Sequence, residues 1–113
     1  MEELFSNPVG PSPEEIQGLK AAHGATLIEV DLDGVIFVIR PLNRLEFKRY
    51  QADMANPKQL DDAHENAVIT ATVWPSTDEV RDRLERMPAC VMQLADEIVT
   101  ASGMAEKKTT RRL

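Results

Sequence analysis

At 113 residues, 42% hydrophobic and 28% charged, the chain is sized for one domain and is too apolar to be disordered by default. Aromatics make up only 4%, so the core must be aliphatic. A net charge of −6 argues against a phosphate backbone or an anionic membrane as partner.

The charge is uneven. Glu106 against Lys107, Lys108, Arg111 and Arg112 gives residues 104 to 113 a charge of +3, leaving −9 for residues 1 to 103. The body is therefore acidic and the tail basic. The longest apolar run, Val35 to Ile39, is far short of the roughly 20 residues that span a bilayer. A single cysteine, Cys90, cannot form an intramolecular disulfide. Together with an opening that lacks a basic and apolar export segment, it fits the cytoplasm.

Residues 1 to 11 contain Pro8, Gly10 and Pro11 and read as a flexible leader. Ser12-Pro13-Glu14-Glu15 then places a hydroxyl at an N-cap, proline at the first helical position and glutamate where it can bond back to the cap. This predicts a first helix ending near Gly24, with a narrow stripe from Ile16 and Leu19 that makes it peripheral.

Residues 26 to 40 predict a β-hairpin around Asp33-Gly34, the dipeptide suited to a two-residue turn with positive φ. That turn pairs Leu32 with Val35, Val30 with Phe37 and Ile28 with Ile39, which makes one face wholly apolar. The other face pairs Asp31 with Ile36, Glu29 with Val38 and Leu27 with Arg40, and is expected to stay wet.

Pro41 ends the second strand, and Asn43 to Glu46 repeats the capping-box spacing for a second helix running to about Ala55, with Phe47, Tyr50 and Met54 on its apolar side. A third helix is expected from about Asp62 to Trp74, central because it is apolar on more than one side. Ser76 to Glu79 predicts the cap of a fourth helix, with Val80, Leu84 and Met87 on its stripe and Arg81, Asp82, Arg83, Glu85 and Arg86 as its solvated face. Pro88 separates it from a fifth helix carrying Val91, Leu94, Ala95 and Ile98 to a stop at Gly103. The expected architecture is α+β: an antiparallel β-hairpin followed by a mainly α-helical bundle, in a single domain over residues 12 to 103. Residues 104 to 113 form a flexible basic tail.

Few residues suggest chemistry. Cys90 sits on the apolar side of a helix start and reads as a small hydrophobe. His23 and His64 lack zinc-ligand spacing, although Asp61, Asp62 and Glu65 flank His64. Asp31-Leu32-Asp33-Gly34 begins like a calcium loop, but the later oxygen ligands are missing and strand residues follow. The five glycines form neither a Walker loop nor GxGxxG, and the basic tail lacks interleaved aromatics. No catalytic residue, metal ligand or cofactor is expected, and neither nucleic acid nor membrane is expected as a partner.

From Arg40 onward the runs RPLNRLEFKRY and HENAVITATVWPSTDEVRDRLERMPA, then an amphipathic helix ending at Ser102-Gly103, resemble the tail assembly chaperones of tailed bacteriophages. The resemblance spans residues 26 to 103, about two-thirds of the chain. It implies a non-enzymatic scaffold in the host bacterial cytoplasm that coats the apolar helical tape-measure protein and recruits tail-tube subunits. Homo-oligomers are compatible with it. Two other classes stay open, a structural or connector component of the virion and a small regulatory protein-binding module. Met54, Met87 and Met92 can either fill the core or adapt to an apolar partner. The Pro88 break nominates Met87, Val91 and Met92 as partner-binding residues.

Overall fold

The computed structural model describes residues 10–103 and 108–113. Its elements are α1 (Pro13–His23), β1 (Ile28–Leu32), β2 (Val35–Ile39), α2 (Arg44–Ala55), α3 (Leu60–Ala71), β3 (Thr72–Trp74), α4 (Thr77–Arg86) and α5 (Cys90–Ala101). This is an α+β fold. The expected leader up to position 9, and positions 104 to 107 of the tail, lie outside the described residues; 108–113 have no regular structure and are exposed.

The local signals act where the chain places them. Ser12 and Asn43 both close full capping boxes, with Glu15 and Glu46 returning bonds to the cap N–H groups. Ser76 accepts from the Glu79 N–H at 3.3 Å. At the hairpin tip Asp33 has φ 53° and Gly34 φ 88°, the two left-handed residues that a type I′ turn requires. The register follows from that turn: Ile28 faces Ile39, Val30 faces Phe37 and Leu32 faces Val35.

The apolar hairpin face packs against the helices. Phe37 and Ile39 are fully enclosed with Val68 of α3, Val80 and Leu84 of α4, and Leu94 and Ile98 of α5. Ile28, Leu32 and Val35 border this core half-buried. α1 contributes no buried residue, as its narrow stripe predicts.

Three expectations need correction. The third helix stops at Ala71, and Thr72–Trp74 form a strand antiparallel to β2, giving a sheet of order β1-β2-β3. Thr, Val and Trp favour extended backbone, and the residue before Pro75 is driven out of the helical region. The second hairpin face is not wet at its centre, since Ile36 is 4% and Val38 5% exposed. The chain passes over Ile36 at Gly10, and Glu15 of α1 accepts a hydrogen bond from Trp74 Nε1 at 3.3 Å. Five consecutive apolar residues in β2 are the pattern of a central strand covered on both faces.

The third correction concerns α4. It ends at Arg86, so Met87 is its C-cap with φ −134° rather than part of its stripe. Nor is Arg83 a solvated residue. Its guanidinium donates to the Ile36 carbonyl at 2.6 Å and lies 5.2 Å from the Phe37 ring centroid and 5.7 Å from that of Trp74. The strand ladder explains why it goes there. The pairing of β2 with β3 reaches only Val38 and Trp74, so the Ile36 carbonyl lies beyond the end of that ladder.

Candidate protein-binding surface

The joint between α4 and α5 is built by Pro88. Its ring cannot continue the helix, so the chain turns through Met87, Pro88 and Ala89, closed by Cys90 N–H to the Met87 carbonyl at 3.0 Å and Val91 N–H to the Pro88 carbonyl at 3.2 Å. α5 then buries Cys90, Leu94, Ala95 and Ile98. Met87 and Val91 are half-buried against the core, whereas Met92 is 59% exposed on the adjoining side of the helix. The three nominated residues thus share one joint, two serving the core as well and one projecting outward.

Met87 also lines a cleft of about 450 Å³ between the joint and the hairpin tip, with Leu32, Pro88 and Cys90 supplying apolar surface and Asp31 and Asp33 the charge. Asp31 Oδ1 accepts the Gly34 N–H at 2.7 Å, which orders the turn. Burial pushes the Cys90 thiol up, and the nearby Asp33 carboxylate adds to the shift. A thiol held protonated in this way is a poor nucleophile, in keeping with its reading as a small hydrophobe. No local pattern signals this cleft, because its two walls are more than fifty positions apart.

A second cleft, of about 380 Å³, lies between α2 and α3 and is polar, with Glu46, Arg49, Tyr50, Asp53 and Arg81 on its walls. Tyr50 and His64 share a hydrogen bond at 2.9 Å, and burial raises the tyrosine pKa. His64 is thereby placed on an aromatic neighbour. Among the described residues no group of three His, Cys, Asp or Glu side chains could hold a metal ion.

Arg40 closes this side of the molecule. It forms a two-pronged pair with Glu46 at 2.8 and 2.9 Å and also donates to the Pro41 and Thr70 carbonyls. The Arg40 guanidinium, with help from the Asn43 N–H, holds the Glu46 carboxyl down at about 2. A carboxyl whose folded pKa lies below its ordinary 4.5 stabilises the fold above pH 4.5, and that contribution disappears as pH falls toward 2. Glu46→Gln is therefore expected to lower stability by about 1 to 2 kcal/mol at pH 7, after allowance for solvent screening. Urea melts of both proteins should converge near pH 2, and a gap that persists there would mean the pair is not the cause.

Arg40 to Glu46 joins β2 to α2 and α3, and Trp74 to Ser76 passes from β3 to the cap of α4. No protein-family profile matches the chain, and no curated protein is similar to it. A solved structure shares the fold. It is an uncharacterised protein from Bacillus stearothermophilus, superposing with a TM-score of 0.67 at 17% identity over 84% of this chain and 98% of that one. At that identity the likeness concerns the fold alone, which there fills nearly the whole chain.

Proposed function

We propose that the protein is a non-enzymatic binding factor of the tail assembly chaperone type, which holds an apolar helical segment of the tape-measure protein and recruits tail-tube subunits in the host cytoplasm. The observation that carries this reading is the α4–α5 joint, where Met92 stands 59% exposed beside the half-buried Met87 and Val91. Methionine is flexible and polarizable, so such a surface can follow varied apolar partners. The resemblance of residues 26 to 103 supplies the kind of partner. Among the described residues no helix is long and apolar enough to cross a membrane.

Co-expression with the tape-measure protein followed by affinity capture tests the reading. Capture should survive a rise from low to high salt, because burial of apolar area is not screened as surface ion pairs are. Met92→Asp should leave the melting temperature unchanged, since the side chain already faces solvent, while reducing the captured partner by about tenfold, equivalent to ~1.4 kcal/mol. Capture of no tape-measure protein at either salt concentration ends the chaperone reading. A virion component would instead be detected by mass spectrometry of purified particles, where an assembly factor is absent.

A further inference from the structure

β1 lies at the edge of the sheet, and among the described residues it pairs with β2 alone. The two-residue turn closes on Leu32 and Val35, which exchange backbone bonds, so bonded and unbonded pairs alternate from there. Asp31 with Ile36 and Glu29 with Val38 are the unbonded pairs, and the Ile36 carbonyl is accordingly taken by Arg83. The N–H and C=O groups of Glu29 and Asp31 therefore face out from the edge of the sheet. Among the described residues no backbone group bonds them there.

The two sides of this edge differ in chemistry. On one, Glu29 and Asp31 are exposed with their carboxylates two positions apart, and no basic residue occurs between Thr26 and Ile39. On the other, Ile28 and Leu32 are only half-buried, and Leu32 opens into the cleft of about 450 Å³ that Met87 and Pro88 also line. Side chains of an added strand alternate between the same two sides. A segment that fits both therefore carries basic residues alternating with aliphatic ones. A second copy of β1 is a poor occupant, because antiparallel pairing about Val30 sets Glu29 against Asp31 twice.

We propose that the outer edge of β1 receives an extended segment of another protein in which lysine or arginine alternates with aliphatic residues. The cations lie along Glu29 and Asp31, and an aliphatic side chain enters the cleft beside Leu32. Backbone hydrogen bonds supply the hold, and the alternation selects the partner. This contact does not depend on the tape-measure reading, and its test uses a synthetic peptide.

The peptide acetyl-Lys-Val-Lys-Ile-Lys-Val-amide is titrated into the isotope-labelled full-length chain and followed by NMR. Saturable binding is expected, with exchange of the Glu29 and Asp31 amides slowed about tenfold and that of Val30, already bonded to β2, unchanged. Glu29→Gln/Asp31→Asn should weaken binding about tenfold, near the upper end of what two exposed ion pairs give. Asparagine at position 31 keeps the oxygen that accepts the Gly34 N–H. Two versions of the peptide, N-methylated at the lysines or at the aliphatic residues, should differ, since only one set of amides can face β1. Absence of saturable binding overturns the proposal, as does equal binding by the two methylated peptides. Equal binding by the double variant, or by acetyl-Glu-Val-Glu-Ile-Glu-Val-amide, overturns the basic segment as occupant. Glu29 and Asp31 amides already protected without peptide would mean that another part of the chain or a second copy holds the edge, and would overturn it too.

Discussion

Phe37→Ala is expected to lower the unfolding free energy by about 3 to 5 kcal/mol, the range for a fully buried phenylalanine cut to a methyl group. Phe37 has no solvent exposure and stands at the centre of β2, enclosed by residues of α3, α4 and α5. Its removal leaves a cavity bounded by elements that are each tied elsewhere: β2 by two neighbouring strands, and α4 and α5 by the turn at Pro88. Little collapse is possible, which places the loss toward the upper end. The ring also lies beneath the Arg83 guanidinium, so the variant loses that contact as well. A fall in melting temperature of about 15 to 20 °C is expected for a domain of this size. Phe37→Leu should cost less than about 1.5 kcal/mol, because most of the volume is kept. If both variants melt within a few degrees of the wild type, the helices do not pack on this face of the hairpin.

Arg83→Ala should cost about 2 to 3 kcal/mol, far more than an ordinary substitution on the outside of a helix. The Arg83–Glu79 ion pair is not the reason, since it is 3.9 Å long and Glu79 is largely exposed. The cost comes from the Ile36 carbonyl, which lies where β3 has run out and receives its hydrogen bond from Arg83 at 2.6 Å. Without that donor a buried carbonyl is left unpaired, a loss of about 1 to 3 kcal/mol. The two aromatic contacts add to it. Arg83→Lys keeps the charge but loses the planar fork, so it should recover only part of the loss. Trp74 is the single tryptophan, and its fluorescence reports the same place without further labelling. Arg83→Ala should shift its emission in the native state. An unchanged emission together with unchanged stability would mean that Arg83 is solvated in solution.

Much of the fold was legible because its signals are local. The capping boxes at Ser12 and Asn43, the Asp33-Gly34 turn and its register, and the Pro88 break each depend on residues within four positions of one another. What escaped was decided across distance. Thr72–Trp74 continue an apolar pattern that suits a helix, and become a strand because β2 offers an open edge and Pro75 forbids further helix. Ile36 and Val38 alternate with the core residues of β2 and read as facing water, but both are buried, and the segment at Gly10 crosses over Ile36. Arg83 stands among charged neighbours in sequence, and only the premature end of β3 gives its guanidinium a buried carbonyl to meet. For the candidate surface, Pro88 was sufficient to nominate Met87, Val91 and Met92, but not the opposing wall. Asp31 and Asp33 read as turn residues, and nothing local says that the turn folds back over the head of α5.

Glu15 has a double attachment. One of its oxygens accepts the Ser12 N–H and so starts α1, and the other accepts the Trp74 indole N–H and so fastens α1 to the sheet. Ser12's hydrogen bonds add little, as these groups face solvent, and α1 has no fully buried side chain, only the half-buried Ile16 and Leu19, to hold it otherwise. Winding of the helix and its attachment are therefore coupled: loss of the carboxylate's bonds weakens the first turn and the hold on the sheet together. Among the described elements α1 is the one expected to open first, at a small fraction of the global unfolding free energy, with the hairpin and the four later helices still folded; hydrogen exchange of its amides checks this. Each such opening bares the outer side of Trp74, so the accessibility of that one indole reads out the motion of the whole N-terminal arm.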